Sequence, residues 1–80
     1  MEERVAIIAI LVTEKNSVAK INDLLHEYSD YIIGRLGLPY RQKKVNIISI
    51  ILDAPQDKVS ALAGKIGKLE GVTAQTLFSK

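Results

Sequence analysis

Two stretches of this chain are apolar on both sides of a strand, and they restrict its fold more than any other feature. Arg4 to Thr13 (RVAIIAILVT) sets Val5, Ile7, Ala9 and Leu11 on one face and Ala6, Ile8, Ile10 and Val12 on the other. Val45 to Asp53 repeats the pattern, with Val45, Ile47 and Ile51 around Ser49 on one face and Ile48, Ile50 and Leu52 on the other. In a strand successive side chains point to opposite faces, so a strand without a polar face belongs where both faces are covered. The centre of a sheet is the expected place for both.

The remaining segments read in order around them. Glu14 to Ser17 is a turn, with Asn16 or Ser17 capping a helix whose Val18, Ile21, Leu24, Leu25 and Tyr28 recur at helical spacing up to Ser29 or Asp30. Tyr31 to Pro39 (YIIGRLGLP) is a second strand, weakened by Gly34 and Gly37 and confined by Pro39 to an edge or a bend. A polar, basic connection, Tyr40 to Lys44 (YRQKK), leads into the third strand. Pro55 suits the first turn of a second helix capped by Asp53 or Ala54. Val59, Leu62, Ala63, Ile66 and Leu69 form its apolar stripe, and Gly71 is expected as its left-handed C-terminal residue. Val72 to Ser79, with Thr73, Gln75 and Thr76, is a shorter and more polar edge strand.

Strand, helix, strand, strand, helix, strand over residues 1–80 predicts one α+β domain of ferredoxin-like βαββαβ type. Right-handed crossovers put the first and third strands in the middle of an antiparallel four-stranded sheet, with both helices on one face. The other face is then left open, and several aliphatic side chains would meet water there. Self-association should hide it, as a dimer or a tetramer. Val5, Ile7, Ala9 and Leu11 with Val45, Ile47 and Ile51 are the expected contact set. A chain of 80 residues buries too little surface for a strongly stable monomer, which points the same way.

Composition removes several function classes. With no cysteine there is no disulfide, thiolate metal site or cysteine nucleophile. The single His26 falls on the polar side of the first helix, so neither a metal site nor a catalytic triad is expected. Asp53 and Asp57 are explained by helix capping. A formal net charge of +2, with acidic and basic residues interleaved, argues against direct nucleic-acid binding. The apolar run from residue 5 to 12 is too short to span a bilayer and is preceded by Glu2 and Glu3, which do not suit a signal peptide. A cytoplasmic protein without a cofactor is the expectation.

Two clusters are candidate sites. Gly64 and Gly67 lie off the centre of the apolar stripe of the second helix, and each costs roughly 1 kcal/mol against alanine. Close packing of another backbone would offset that, or a ligand contact made by Gly64, Lys65 and Gly67. Arg35, Arg41, Lys43 and Lys44 fall within ten residues that contain no acid. Beside a plain solvated hairpin, they suit an anionic ligand or an acidic partner surface.

Three segments, VNIISIILDAP (45–55), ALAGKIGKLEGV (61–72) and GRLGLPYR (34–41), together resemble the small iron-only hydrogenase system regulators. The resemblance covers nearly the whole chain and implies an ACT-like ferredoxin fold with a regulatory role connected to [FeFe]-hydrogenase. A more distant similarity is to the C-terminal regulatory domain of nickel-responsive repressors. Those bind nickel through histidines and a cysteine and carry a separate DNA-binding domain. With one histidine, no cysteine and three residues before Arg4, neither nickel sensing nor direct DNA binding is expected of this sequence. The reading is a non-enzymatic homo-oligomeric regulatory module with a small ligand; the alternative is an assembly protein that binds a protein partner and no ligand.

Overall fold

The computed structural model describes residues 2–80. The elements run β1 (Glu3–Val12), α1 (Ser17–Glu27), a short 3₁₀ turn (Ser29–Tyr31), β2 (Ile32–Tyr40), a second 3₁₀ turn (Arg41–Lys43), β3 (Val45–Pro55), α2 (Gln56–Gly67) and β4 (Val72–Phe78). They form one antiparallel sheet in the order β2-β3-β1-β4. The two strands apolar on both faces are therefore the central pair, and the polar β4 and the proline-bearing β2 are the edges.

Alternation along β1 divides the molecule into two layers. Ala6, Ile8, Ile10 and Val12 are buried under the helices together with Ile48, Ile50, Leu52 and Ala54 of β3. Ile21 and Leu25 of α1 and Val59, Leu62 and Ile66 of α2 close this core from above. Each is wholly or almost wholly removed from water, a burial worth about 1.5–3 kcal/mol per large aliphatic side chain.

Some boundaries differ from the expected ones, each for a local reason. Asn16 precedes α1 in a helical conformation and makes no side-chain cap. Ser17 is buried and donates its hydroxyl to the Glu70 carbonyl at 2.6 Å, tying the start of α1 to the loop before β4. Helix α1 stops at Glu27, and Tyr31 belongs to the 3₁₀ turn that follows it, not to β2. Strand β3 runs two residues past Asp53, because Arg4 and Glu3 still pair with Ala54 and Pro55. Pro55 itself, at φ −57° and ψ 144°, then takes the position before α2, so neither Asp53 nor Ala54 caps it. Gly34 follows a bulge in which Ile33 is the extra residue of β2.

Gly71 is left-handed, as expected, with φ +69°, but it lies four positions beyond the last residue of α2. It is the third residue of the turn closed by Val72 N–H on the Leu69 carbonyl at 3.3 Å. Its carbonyl accepts from the Thr13 N–H at 2.8 Å and the Thr13 hydroxyl at 3.1 Å. The turn thus docks directly on the end of β1. At the opposite end of β1, Arg4 stacks 5.0 Å from the Phe78 ring centroid and donates to the Gln56 amide oxygen and the Ser79 carbonyl.

Candidate functional site

Register assigns the open face of the sheet residue by residue, because cross-strand partners share a face. Ile7 pairs with Ile51 and Leu77, Leu11 with Ile47 and Thr73, and Ala9 with Ser49 and Gln75. On the far side of β3, Leu38 pairs with Ile47, Leu36 with Ser49 and Tyr40 with Val45. Eight aliphatic side chains of this face (Val5, Ile7, Leu11, Leu36, Leu38, Ile47, Ile51 and Leu77) are 36–68% exposed. All seven residues of the expected contact set lie on it, and Leu36, Leu38 and Leu77 extend it. Reading the edge strands only as polar or broken leaves these three out of the expected set. Alternation from Gly34 through Leu36 and Leu38 was the available signal.

The face has relief. Ala9 and Ser49 make a low row between a row containing Leu11 and Ile47 and another containing Ile7 and Ile51. With strands ~4.8 Å apart and ~3.4 Å per residue, it covers roughly 500 Å², as large as the greatest apolar patch of a typical monomer.

At the end of this face, where β1 leaves the sheet and β2 turns into β3, is a cavity of about 640 Å³. Arg41 and Lys44 line it, joined by Lys15 from the β1–α1 connection. Lys44 has φ 54°, in the left-handed region, and its N–H is bonded to the Arg41 carbonyl at 3.2 Å. The other two residues of the expected basic cluster are placed differently. Lys43 is exposed and does not line the cavity. Arg35 pairs with Ile50, which puts it on the helix side of the sheet, and it donates to the Asn22 side-chain oxygen of α1 at 3.0 Å. Lys15 is outside the expected cluster, since only the fold carries it to the hairpin.

The glycine-bearing helix gives a different result. A Cβ at Gly64 or Gly67 would meet nothing within 4 Å, so the close packing expected of these glycines is absent within the chain. Lys65, between them, reaches α1 and donates to the Tyr28 hydroxyl at 3.0 Å, with Glu27 Oε1 at 3.5 Å. Open space at Gly64 leads to an expected result: Gly64→Ala raises stability by about 0.5–1 kcal/mol, or ~2–8 °C in Tm. A thermal melt at fixed protein concentration checks this, and a lower Tm would mean that a second chain packs on that face.

The Lys65 contact has a pH signature. The Tyr28 hydrogen bond chiefly, and the Glu27 charge, hold its ammonium above the ordinary value of 10.5, against a desolvation that lowers it. A group raised in the folded state stabilises it fully below its unfolded value and loses that contribution as pH rises through the folded one. Lys65→Met should therefore flatten the fall in stability above pH ~10.5, read from urea denaturation at several alkaline pH values. Identical slopes in both proteins would disprove the linkage.

Among the described residues no group of three or more His, Cys, Asp or Glu could hold a metal ion, and no helix is long and apolar enough to cross a membrane. His26 is exposed beside Arg35 in a shallow hollow between α1 and β2.

Comparison with known proteins fits this architecture. No curated protein matches the chain. Uncharacterized protein TM1266 from Thermotoga maritima superposes with a TM-score of 0.94 at 35% identity, covering 99% of this chain and 100% of that one. The ACT domain from the GTP pyrophosphokinase of Chlorobium tepidum superposes at 0.80 with 20% identity over 94% of this chain and 99% of that one. A formyltetrahydrofolate deformylase from Pseudomonas putida matches at 0.68 and 14% identity, over 91% of this chain but 28% of that one. The last two likenesses establish the ACT-like fold alone. Residues 4–76 match the TM1266-like family, described as "Iron-only hydrogenase system regulator, putative". With nearly its whole length matched, the chain belongs to the TM1266-like family of iron-only hydrogenase system regulators.

Proposed function

We propose that this protein is a non-enzymatic, cytoplasmic regulatory module of the iron-only hydrogenase system that works as a homo-oligomer and responds to a small ligand. The observation that carries the reading is the open sheet face, with eight partly exposed aliphatic side chains. Its family and ACT-like fold support a regulatory role.

The energetics favour assembly. A fully buried large aliphatic side chain is worth about 1.5–3 kcal/mol, and at the observed exposure roughly half of that is still to be gained. Sixteen such side chains in a pair give on the order of 16 kcal/mol, against association costs of ~4–15 kcal/mol. Two copies meeting face to face can set a high row of one against the Ala9–Ser49 row of the other, as in the packing of aligned sheets. Gly64, Lys65 and Gly67 then lie on the outer, helical surface, accessible to a ligand or a protein partner.

Equilibrium sedimentation at micromolar concentration tests the assembly, and thermal-shift screening with amino acids, nucleotides and metals tests the ligand response. A well-folded monomer would refute the first. Absence of any shift would favour a scaffold that binds protein only.

A further inference from the structure

The cavity at the end of the open face has a chemistry of its own. Three of the chain's eleven basic residues, Lys15, Arg41 and Lys44, line it, and none of the nine acidic ones does. Glu14, adjacent to Lys15 in sequence, has a carboxylate oxygen accepting the Asn16 N–H at 3.2 Å. At about 640 Å³ the space is within the range of small-molecule sites, roughly 300–1,000 Å³.

The wall is not uniformly charged. Pro39, Tyr40 and Val45 give it an apolar side, and the Tyr40 hydroxyl is fixed by donation to Gln42 Oε1 at 2.7 Å. Asn46 adds an amide group. Lys44 caps the 3₁₀ turn that closes the hairpin. Its backbone is left-handed, a conformation that glycine or asparagine adopts at lower cost, yet a long cationic side chain occupies it.

We propose that this cavity binds a small molecule carrying two or more negative charges, a phosphate ester or a polycarboxylate, whose carbon portion lies against Pro39 and Tyr40. Arg41 takes the anion with its planar fork, while Lys44 and Lys15 neutralise the remaining charge. The proposal names the ligand class for the regulatory reading above and rests on that reading only for the consequence of binding. Because Tyr40 and Val45 also belong to the open face, an occupied site lies at the rim of the contact between copies.

Isothermal titration of the full chain with inorganic pyrophosphate and, separately, with citrate at ~0.15 M salt tests it. Saturable binding of either probe is expected. Arg41→Gln and Lys44→Asn should each weaken it about tenfold or more. Lys58→Gln, an exposed lysine of α2 outside the cavity, should leave it unchanged. Asparagine tolerates the left-handed backbone, so the Lys44 variant keeps its fold, which circular dichroism verifies. Preference for pyrophosphate identifies a phosphorylated ligand, and preference for citrate a polycarboxylate. The proposal is overturned if neither probe saturates, if both cavity variants bind as tightly as the wild type, or if Lys58→Gln loses as much. Sedimentation of the same samples separates the two ideas: a monomer that binds removes the assembly and keeps the site, and an oligomer that does not bind removes the site.

Discussion

With Ile7 and Ile47 both replaced by lysine, the protein is expected to sediment as a monomer or to fail to fold. Both residues stand on the central strands, on the two high rows that flank Ala9 and Ser49. In a single copy they are 38% and 36% exposed, and a lysine stem can lie along the sheet with its ammonium in water. Between two copies the same substitutions trap four like charges in an apolar contact, and each unpaired buried charge costs several kcal/mol. The two outcomes have different meanings. A folded monomer shows that the helical layer alone sustains the domain, and an unfolded chain shows that assembly and folding are one equilibrium. An unchanged oligomer would place the contact somewhere other than the open face.

The second large effect is expected at Gly71. An added Cβ would stand 2.6 Å from the Glu14 Cβ and 2.8 Å from the Glu14 backbone nitrogen, distances that require the loop to move. Left-handed backbone costs a further ~1–2 kcal/mol for an L residue. Movement also loosens the bonds from Thr13 and Ser17 to the Gly71 and Glu70 carbonyls, each worth about 1 kcal/mol net. Gly71→Ala should therefore cost roughly 3 kcal/mol or more, lowering Tm by ~12 °C or more. Gly37→Ala is the control, because a Cβ there meets nothing within 4 Å and its φ is ordinary. A Gly71→Ala protein melting within a few degrees of the wild type would contradict the geometry.

What is legible in the sequence follows from periodicity. The paired apolar strands β1 and β3, the helix stripes and the polar β4 each carry their own pattern, and together they select βαββαβ and the open face. Contacts made across the chain carry no such pattern. Lys65 meets Tyr28 across 37 positions and Arg35 meets Asn22 across 13, so two of the expected site residues are found bonded to α1. Lys15 reaches the basic cavity only because β1 and the β2–β3 connection end at the same side of the sheet. Gly64 and Gly67 illustrate the converse. Composition alone suggested a close neighbour, and the space beside them is open within the chain. Pro55 shows how pairing overrides a local signal: register with Glu3 extends β3 over a residue that by itself suits the first turn of a helix.

The order β2-β3-β1-β4 also sets how this chain must fold in time. Ile7 finds Ile51 44 positions away, and Ile8 finds Thr76 68 positions away. Registers of this length must absorb loop-closure entropy before they gain any hydrogen bonds, which slows folding relative to a helical bundle of equal size. Without Val72–Phe78 in place, β1 is a bare edge beside an uncovered aliphatic face, a combination prone to pairing with the wrong chain. The Gly71 turn, bonded to Thr13 at one end of β4, and the Arg4 clasp on Phe78 and Ser79 at the other hold that last strand in register. Weakening either end should release β4 from β1 more often and bare that edge, so that aggregation during refolding increases.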